Sequence, residues 1–210
     1  YDKHVFGATL FYRFRPLTSA LIEYNYGIVD YPHNTESNNT FNSVLAGLTW
    51  EPTGIIRGTL KGGFTFKDFD EEDRDAKDTY IIATDLEAHY TDFTAVGITV
   101  FRNLVESDFA GTDFYTSTGG ELWISHQFTA KISGRGSGGY TKNSYNEVIT
   151  FAGRRDRRKE DLWHANASLG YQIQDWLSVG LEYMFTTRSS TFEVFDYDRH
   201  VGLFYIKAGI

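Results

Sequence analysis

The sequence predicts an all-β fold, a transmembrane antiparallel up-and-down β-barrel, and three observations lead to it. Apolar residues recur at every second position through most of the 210 residues. Short connections alternate with longer polar ones, and aromatic residues concentrate near the ends of the alternating segments. Period-two alternation is typical of strands with one apolar face, and transmembrane barrels combine it with short periplasmic turns and long outer loops. The whole chain, 1–210, is therefore predicted to be one outer-membrane barrel domain.

Eleven segments carry the alternation, and each is predicted to be one strand. The first places Phe6, Ala8 and Leu10 on one face, with Gly7 and Thr9 on the other. The other ten repeat the pattern, in chain order, at 20–28, 44–51, 56–67, 82–90, 96–100, 121–124, 131–140, 163–173, 177–188 and 204–210. Runs of about 9–12 residues suit a tilted crossing of a bilayer. No helix of useful length is predicted.

Two classes of connection separate these segments. The short ones are 15–18, 51–54, 91–93, 127–129 and 174–176, and the longer charged ones are 32–40, 68–78, 104–113, 142–161 and 188–196. Because the classes alternate, all long loops are predicted to lie at one end. If the last strand ends in the periplasm, Tyr1 lies on the outer side. A barrel with both termini in the periplasm has an even number of strands, so we expect at least one strand before Tyr1, in a larger barrel.

The composition narrows the classes of function. There is no Cys, which excludes a disulfide framework and thiolate metal sites. The net charge of −8 argues against nucleic acid as a partner. Aromatic residues make up 17% of the chain, and amphipathic rings favour the two membrane–water interfaces. We expect no cofactor and no metal, and we expect outer-membrane lipid and lipopolysaccharide as surroundings.

Four sequence stretches support a more specific comparison: LFYRFRPLTSALIEYNYGIVDY, LAGLTWEPTGIIRGTLKGGFTFKDFD, DFYTSTGGELWISHQFT and FDYDRHVGLFYIKAGI. In these the chain resembles the outer-membrane β-barrel porins associated with bacterial exopolysaccharide operons. The resemblance covers essentially the whole chain, and Trp-Glu-Pro-Thr-Gly after an alternating strand is its most distinctive part. It implies a Gram-negative outer membrane and a role in surface-polysaccharide export, with periplasmic export components as further partners. It transfers no catalytic residues.

The face opposite the apolar stripe contains the candidates for a pore lining. They are charged or ionisable residues, which cannot face lipid without a cost of about 2–4 kcal/mol for Arg or Lys at the midplane. The predicted set is Arg13, Glu23, Arg57, Lys61, Lys67, Asp85, Glu87, His89, Glu121, Lys131, Arg135, Glu182, Arg188 and Lys207. One interpretation is a polar channel whose charges tune selectivity, and the other is a salt-bridge network that fills a narrow lumen.

Two groups within this set have alternative interpretations. Arg57, Lys61 and Lys67 form a basic ladder on one strand, and the range 85–89 forms an acidic stripe on the next. Cross-strand pairing of the two is the preferred interpretation, and a path for an anionic polymer is the alternative. Phe11, Trp123 and Tyr205 lie on the same predicted face and could stack against sugars.

Two charged loops and the histidines complete the candidates. The range 68–78 is rich in carboxylates but lacks the spacing of a calcium loop, so a solvated loop is preferred. The range 154–159 is a basic loop that could contact lipopolysaccharide phosphates or remain solvated. His164 and Ser168 are too far apart on one strand for a direct hydrogen bond, and no nucleophile motif is present. The chain is therefore predicted not to be an enzyme. A structural barrel with a filled lumen is the alternative function, and a lipid-modifying barrel is a weaker one.

Overall fold

The described part of the chain folds into a single antiparallel sheet of eleven strands in chain order. The computed structural model describes residues 1–32, 38–51, 55–70, 77–107, 112, 114–151 and 153–209. The strands are β1 Asp2–Arg15, β2 Thr18–Asp30, β3 Asn39–Trp50, β4 Ile56–Phe69, β5 Lys77–Thr91, β6 Thr94–Glu106, β7 Phe114–Gln127, β8 Ile132–Phe151, β9 Arg154–Gln174, β10 Leu177–Ser190 and β11 Tyr197–Ala208. A three-residue 3₁₀ turn, Glu193–Phe195, precedes β11. The predicted all-β, up-and-down architecture is confirmed.

Each strand pairs with its neighbours along the chain, from β1 to β11, and the sheet is open. Among the described residues, β1 and β11 are its two edges, because β1 pairs with β2 and β11 pairs with β10. Within the same ranges, no helix is long and apolar enough to cross a membrane. The expectation of further strands before Tyr1 stays a prediction.

The register divides the side chains between an apolar face and a polar face. One row of paired residues on the apolar face, for example, joins Val100, Gly120, Tyr140 and Trp163 across β6 to β9. Trp163, Leu169 and Tyr171 are all exposed on this face, where a water-soluble protein would have buried them. A broad surface of exposed large hydrophobic residues fits contact with lipid tails.

Side-chain burial is greatest at the end of the sheet where the longer connections lie, which we call the loop end. Val29, Asn39, Lys67 and Glu160 are the largest fully buried side chains, and all four lie near that end of their strands. At the other end, the turn end, short connections such as 15–18 and 174–177 join the strands. The loop end is therefore the most tightly packed part of the sheet.

The predicted loop over 142–161 is wrong. These residues instead lengthen β8 to 20 residues and β9 to 21, so the two strands form a hairpin that continues past the first residue of β7. The hairpin turns at Gly153, whose φ of 80° lies in the left-handed region that glycine adopts without steric cost. The sequence did not indicate these strand segments, because both of their faces carry polar residues and apolar residues do not recur at every second position along them.

The predicted basic loop over 154–159 is wrong for the same reason. Its residues lie on β9 and alternate in exposure, with Arg157 and Lys159 exposed and Arg158 buried. Most of the described strands are also longer than the predicted 9–12 residues; for example, β6 extends to Glu106 and β7 begins at Phe114, whereas β3 and β11 fit the prediction with 12 residues each. Within the predicted acidic loop 68–78, residues 71–76 lie outside the described residues.

Candidate functional site

The sheet gathers nearly all the predicted pore-lining residues on its polar face. Cross-strand partners share a face, as do alternate residues of one strand. The register aligns Arg57 with Glu87, Thr59 with Asp85, and Arg135 with both Ser125 and Ser168. By the same rule the polar face contains Arg13, Glu23, Arg57, Lys61, Lys67, Asp85, Glu87, His89, Glu121, Arg135, Glu182, Arg188 and Lys207. Lys131 lies in the connection between β7 and β8 instead. That this face lines a pore stays a prediction.

The first ion pair on the polar face follows the preferred interpretation of the basic ladder. Arg57 Nη2 lies 2.9 Å from Glu87 Oε2 and 3.0 Å from Oε1, across neighbouring strands. His89 Nε2 lies 2.7 Å from Glu87 Oε1. Asp85 accepts a hydrogen bond of 3.1 Å from the Thr99 hydroxyl. The Arg57 side chain remains 58% exposed, so solvent screens this group.

The second ladder residue pairs in the opposite direction from the one predicted. Lys61 Nζ lies 2.6 Å from Glu23 Oε2, which is two strands away on β2. Asn25 donates a further hydrogen bond of 2.8 Å to Glu23 Oε1. The intervening residue opposite Lys61 is Gly47, where a Cβ would lie 2.3 Å from the Leu60 carbonyl oxygen and 2.7 Å from Lys61 Cβ. The missing side chain lets Lys61 reach across β3, which strand order alone could not predict.

Lys67, the third ladder residue, is buried at the loop end in a carboxylate pair. Its Nζ lies 2.5 Å and 2.7 Å from the two oxygens of Glu106, and the two side chains are 0% and 5% exposed. The Tyr31 hydroxyl donates a hydrogen bond of 3.0 Å to the same carboxylate. Paired cation and anion satisfy one another where water is excluded, as burial of charge requires. The predicted pairing of Lys67 with the 85–89 stripe is therefore wrong.

A second buried cluster at the loop end surrounds Glu160 and was missed by the sequence reasoning. Arg158 pairs with Glu160 Oε1, and Arg188 Nη1 lies 3.7 Å from the same oxygen. Asn143 donates a hydrogen bond of 3.3 Å to the other oxygen. The detectable signal was period-two spacing of Arg158, Glu160 and Leu162, but a polar stripe of this kind resembles a solvated loop.

Arg188 lies on the polar face and also belongs to this cluster. Its Nε donates a hydrogen bond of 2.7 Å to the Phe195 carbonyl oxygen, and its guanidinium lies 4.5 Å above the Tyr197 ring. Phe195 also contacts Phe151, with 5.5 Å between ring centroids. These contacts fasten the β8–β9 hairpin to the connection between β10 and β11. A structural role at the loop end therefore accounts for Arg188.

On β7 to β9, the contacts between charged residues of the polar face are longer and partly exposed to solvent. Glu121 Oε2 lies 3.3 Å from His164 Nε2, and both side chains are partly exposed. The Arg135 guanidinium lies 4.2 Å above the Trp123 ring. A cation stacked on an indole is held in place but keeps its charge available to solvent. This pair brings together a predicted basic residue and a predicted sugar-stacking residue.

The remaining predicted residues are exposed or only partly buried. Arg13 borders a depression of about 410 Å³ at the turn end, shared with Arg57 and Asp85. Glu182 and Lys207 make no ion pair with any residue in the described ranges. Lys131 Nζ donates a long hydrogen bond of 3.4 Å to the Ile173 carbonyl oxygen.

Two solved structures superpose on this architecture. The iron transporter FrpB of Neisseria meningitidis superposes with a TM-score of 0.62 at 8% identity, over 90% of this chain and 35% of that one. The copper transporter OprC superposes with a TM-score of 0.58 at 10% identity, over 99% of this chain and 43% of that one. The chain thus spans less than half the length of either transporter. Identities this low show a shared fold alone.

Sequence comparison identifies the family. No curated protein sequence matches the chain. The family described as "Putative beta-barrel porin 2" matches residues 2–208, which is almost the whole chain. Its description agrees with the exposed apolar face, the polar opposite face and the up-and-down strand order. The chain is an outer-membrane protein, and it belongs to this β-barrel porin family.

Proposed function

We propose that the chain forms part of the wall of a passive outer-membrane pore, with its polar face lining the path for polar solutes. The observation that supports this most directly is the register, which collects cations and anions from most of the strands on the face opposite the lipid-compatible one. Arg57, Lys61 and Glu87 keep partly exposed side chains despite their ion pairs. Exposed, laterally paired charges make a hydrated wall whose local potential discriminates between ions.

The same face supports polysaccharide as the solute class. Phe11 is 63% exposed and Tyr205 is 40% exposed on the polar face, and Trp123 stacks with Arg135 between them in the sheet order. Rings with an exposed face provide sliding contacts for sugars, and an adjacent guanidinium favours an acidic sugar. Passage of an anionic polysaccharide is therefore the finer part of the proposal.

Planar-bilayer recording with the full-length protein tests the pore. We expect stable single-channel conductance, together with blocking events when acidic oligosaccharides are added to one side. Absence of conductance with correctly folded protein would overturn the proposal and favour a structural barrel with a filled lumen. Lipid hydrolysis without conductance would instead favour the enzyme alternative.

A substitution at Trp123 tests separately whether polysaccharide is the solute. Trp123→Ala removes the ring beneath Arg135 on the polar face and should shorten the oligosaccharide blocking events without abolishing conductance. Trp163→Ala is the matched control, because Trp163 is equally large but is exposed on the apolar face. Equal effects of the two substitutions would contradict a sugar contact at Trp123.

A further inference from the structure

The apolar face contains a groove that ends in a cluster of cations at the loop end. The groove has a volume of about 740 Å³ and is open along β6, β7 and β8. Gly120 and Gly138 form its floor, and Ile98, Leu122 and Trp163 contribute to its sides. A second groove of about 610 Å³ continues it toward the turn end and shares Ile98, Leu122 and Gly138 with it.

Glycine makes the floor of this groove low enough to hold a ligand. A Cβ built on Gly138 would meet only the His164 carbonyl oxygen, at 3.6 Å, and one on Gly136 would meet atoms no nearer than 3.9 Å. Larger residues would therefore fit sterically at both positions. From Gly136 to Lys142 the strand runs about 20 Å, which suits an extended acyl chain lying along the sheet.

The cations at the end of the groove break the alternation of the apolar face. Arg102 follows Val96, Ile98 and Val100 on one stripe of β6, and Lys142 lies two residues beyond Tyr140 on β8. Both are aligned with Thr118, which lies between them on β7. A cation on the lipid-facing side of a barrel costs free energy unless it meets an anion or the interface.

Neither cation makes an ion pair with a carboxylate in the described part of the protein. Arg102 Nη1 donates a hydrogen bond of 2.8 Å to Thr118 Oγ1, and its guanidinium lies 4.1 Å above the Tyr80 ring. Its Nε is buried and has no hydrogen-bond partner within the described ranges. Lys142 is exposed. Asp161 lies opposite Lys142, but it accepts a hydrogen bond from the Tyr140 hydroxyl.

Further positive charge continues outward along the same face. Lys159 lies opposite Ser144 and is exposed, as is Arg157 two residues farther along β9. An apolar channel with cations at the loop end complements a molecule that has acyl chains and a phosphorylated headgroup. Since long loops of such barrels face outward, the ligand belongs to the outer leaflet.

We propose that this groove binds lipopolysaccharide through its lipid A part. One acyl chain lies over Gly138 and Gly120, and a lipid A phosphate is held by Arg102, Lys142 and the Thr118 hydroxyl. Arg102 is suited to phosphate because its guanidinium donates in a planar fork. The site is separate from the polar face, so its loss leaves pore conductance unchanged.

Native mass spectrometry of the full-length protein in detergent, with purified bisphosphorylated lipid A as the probe, tests the proposal. Arg102→Gln and Lys142→Gln should each weaken binding about fivefold, the effect of removing one cation near a phosphate-bearing surface. Lipid A stripped of its phosphates should bind the wild-type protein as weakly as it binds the double variant. Gly138→Phe should reduce binding of both lipids, because the ring occupies the acyl channel.

Arg199→Gln is the matched control, since Arg199 is an exposed arginine near the loop end but on the polar face. The shift in electrophoretic mobility on heating reports folding of every variant. Lys142 is exposed and makes no ion pair with any described residue, so Lys142→Gln is informative even if Arg102→Gln folds poorly. Unchanged affinity in Lys142→Gln, or an equal loss in Arg199→Gln, would overturn the site. An altered oligomeric state in Gly138→Phe with unchanged lipid binding would assign the groove to a second protein copy instead.

Discussion

Lys61 and Lys67 lie on the same face of the same strand, yet their ion pairs have different surroundings. The Lys61–Glu23 pair is 2.6 Å long, and its side chains are 27% and 19% exposed. The Lys67–Glu106 pair is similar in length, but its side chains are almost fully buried. Water screens the first pair and is excluded from the second. One polar face therefore contains two kinds of ion pair: the pair along the strands remains in contact with water, whereas the pair at the loop end is buried and joins two strands of the sheet.

The largest expected effect comes from breaking the buried pair. Lys67→Met should lower the free energy of unfolding by about 3–5 kcal/mol, because it leaves the Glu106 carboxylate buried without its cation. Equilibrium urea unfolding of the protein in lipid vesicles measures this. The double variant Lys67→Met with Glu106→Leu should recover most of the loss, since neither charge then remains buried. A loss below 1 kcal/mol for the single variant would show that water reaches Glu106.

Substitution in the Glu160 cluster should lower the free energy of unfolding somewhat less than Lys67→Met does. Glu160→Gln keeps the shape and some hydrogen bonding to Asn143, but it removes the buried negative charge that pairs with Arg158. We expect a loss of about 2–3 kcal/mol, near the upper range for hydrogen bonds to charged groups. The same unfolding experiment measures it. If the loop end is structural, single-channel conductance of the folded variant should match the wild type, and a changed conductance would contradict the division between the two regions.

Gly47→Val tests the gap through which Lys61 reaches Glu23. The added side chain would collide with the Leu60 carbonyl oxygen and with Lys61, and overpacking of this kind costs about 1–3 kcal/mol. Gly202→Val on β11 is the matched control, because nothing lies within 4 Å of a Cβ built there. Equal stability of the two variants would indicate that β3 and β4 are farther apart than the structure shows.

The smallest effect on stability is expected at the solvated pair. Lys61→Met should change the free energy of unfolding by less than about 1 kcal/mol, as is usual for partly exposed ion pairs. Its effect should appear in ion selectivity instead. The variant leaves Glu23 uncompensated, so the reversal potential in a salt gradient should shift toward cations. A large loss of stability with unchanged selectivity would reverse the roles assigned to Lys61 and Lys67.

The sequence predicted the strands better than their contacts. Alternation over 163–173 identified both the strand and its lipid-compatible face, since the side chains of neighbouring residues in any strand point to opposite faces. The range 142–161 failed because its strands carry polar residues on both faces, which removes the period-two hydrophobic signal. Arg102 was not among the predicted candidates, because a single cation that follows the apolar residues Val96–Val100 resembles the beginning of a loop.

For the charged residues of the polar face, the sequence likewise predicts the face of the sheet but not the partner of each residue. Membership of Glu23, Lys61 and Glu87 in one polar face follows from period two alone. Their partners do not, because an ion pair depends on register and on what stands between the strands. Gly47 directs Lys61 toward β2, and the loop end brings Glu106 to Lys67 from a strand two places away. None of these relations is local in sequence.

By itself, then, the sequence determined the number of strands in the described residues, short connections such as 15–18 and 174–176, and the separation of apolar from polar residues, because each depends on a local period and on turn chemistry. Only the tertiary structure decided the open sheet, the long β8–β9 hairpin, the partners of the charged residues and the cationic end of the apolar groove. Each of these depends on residues far apart in the chain that meet only once every strand has its register.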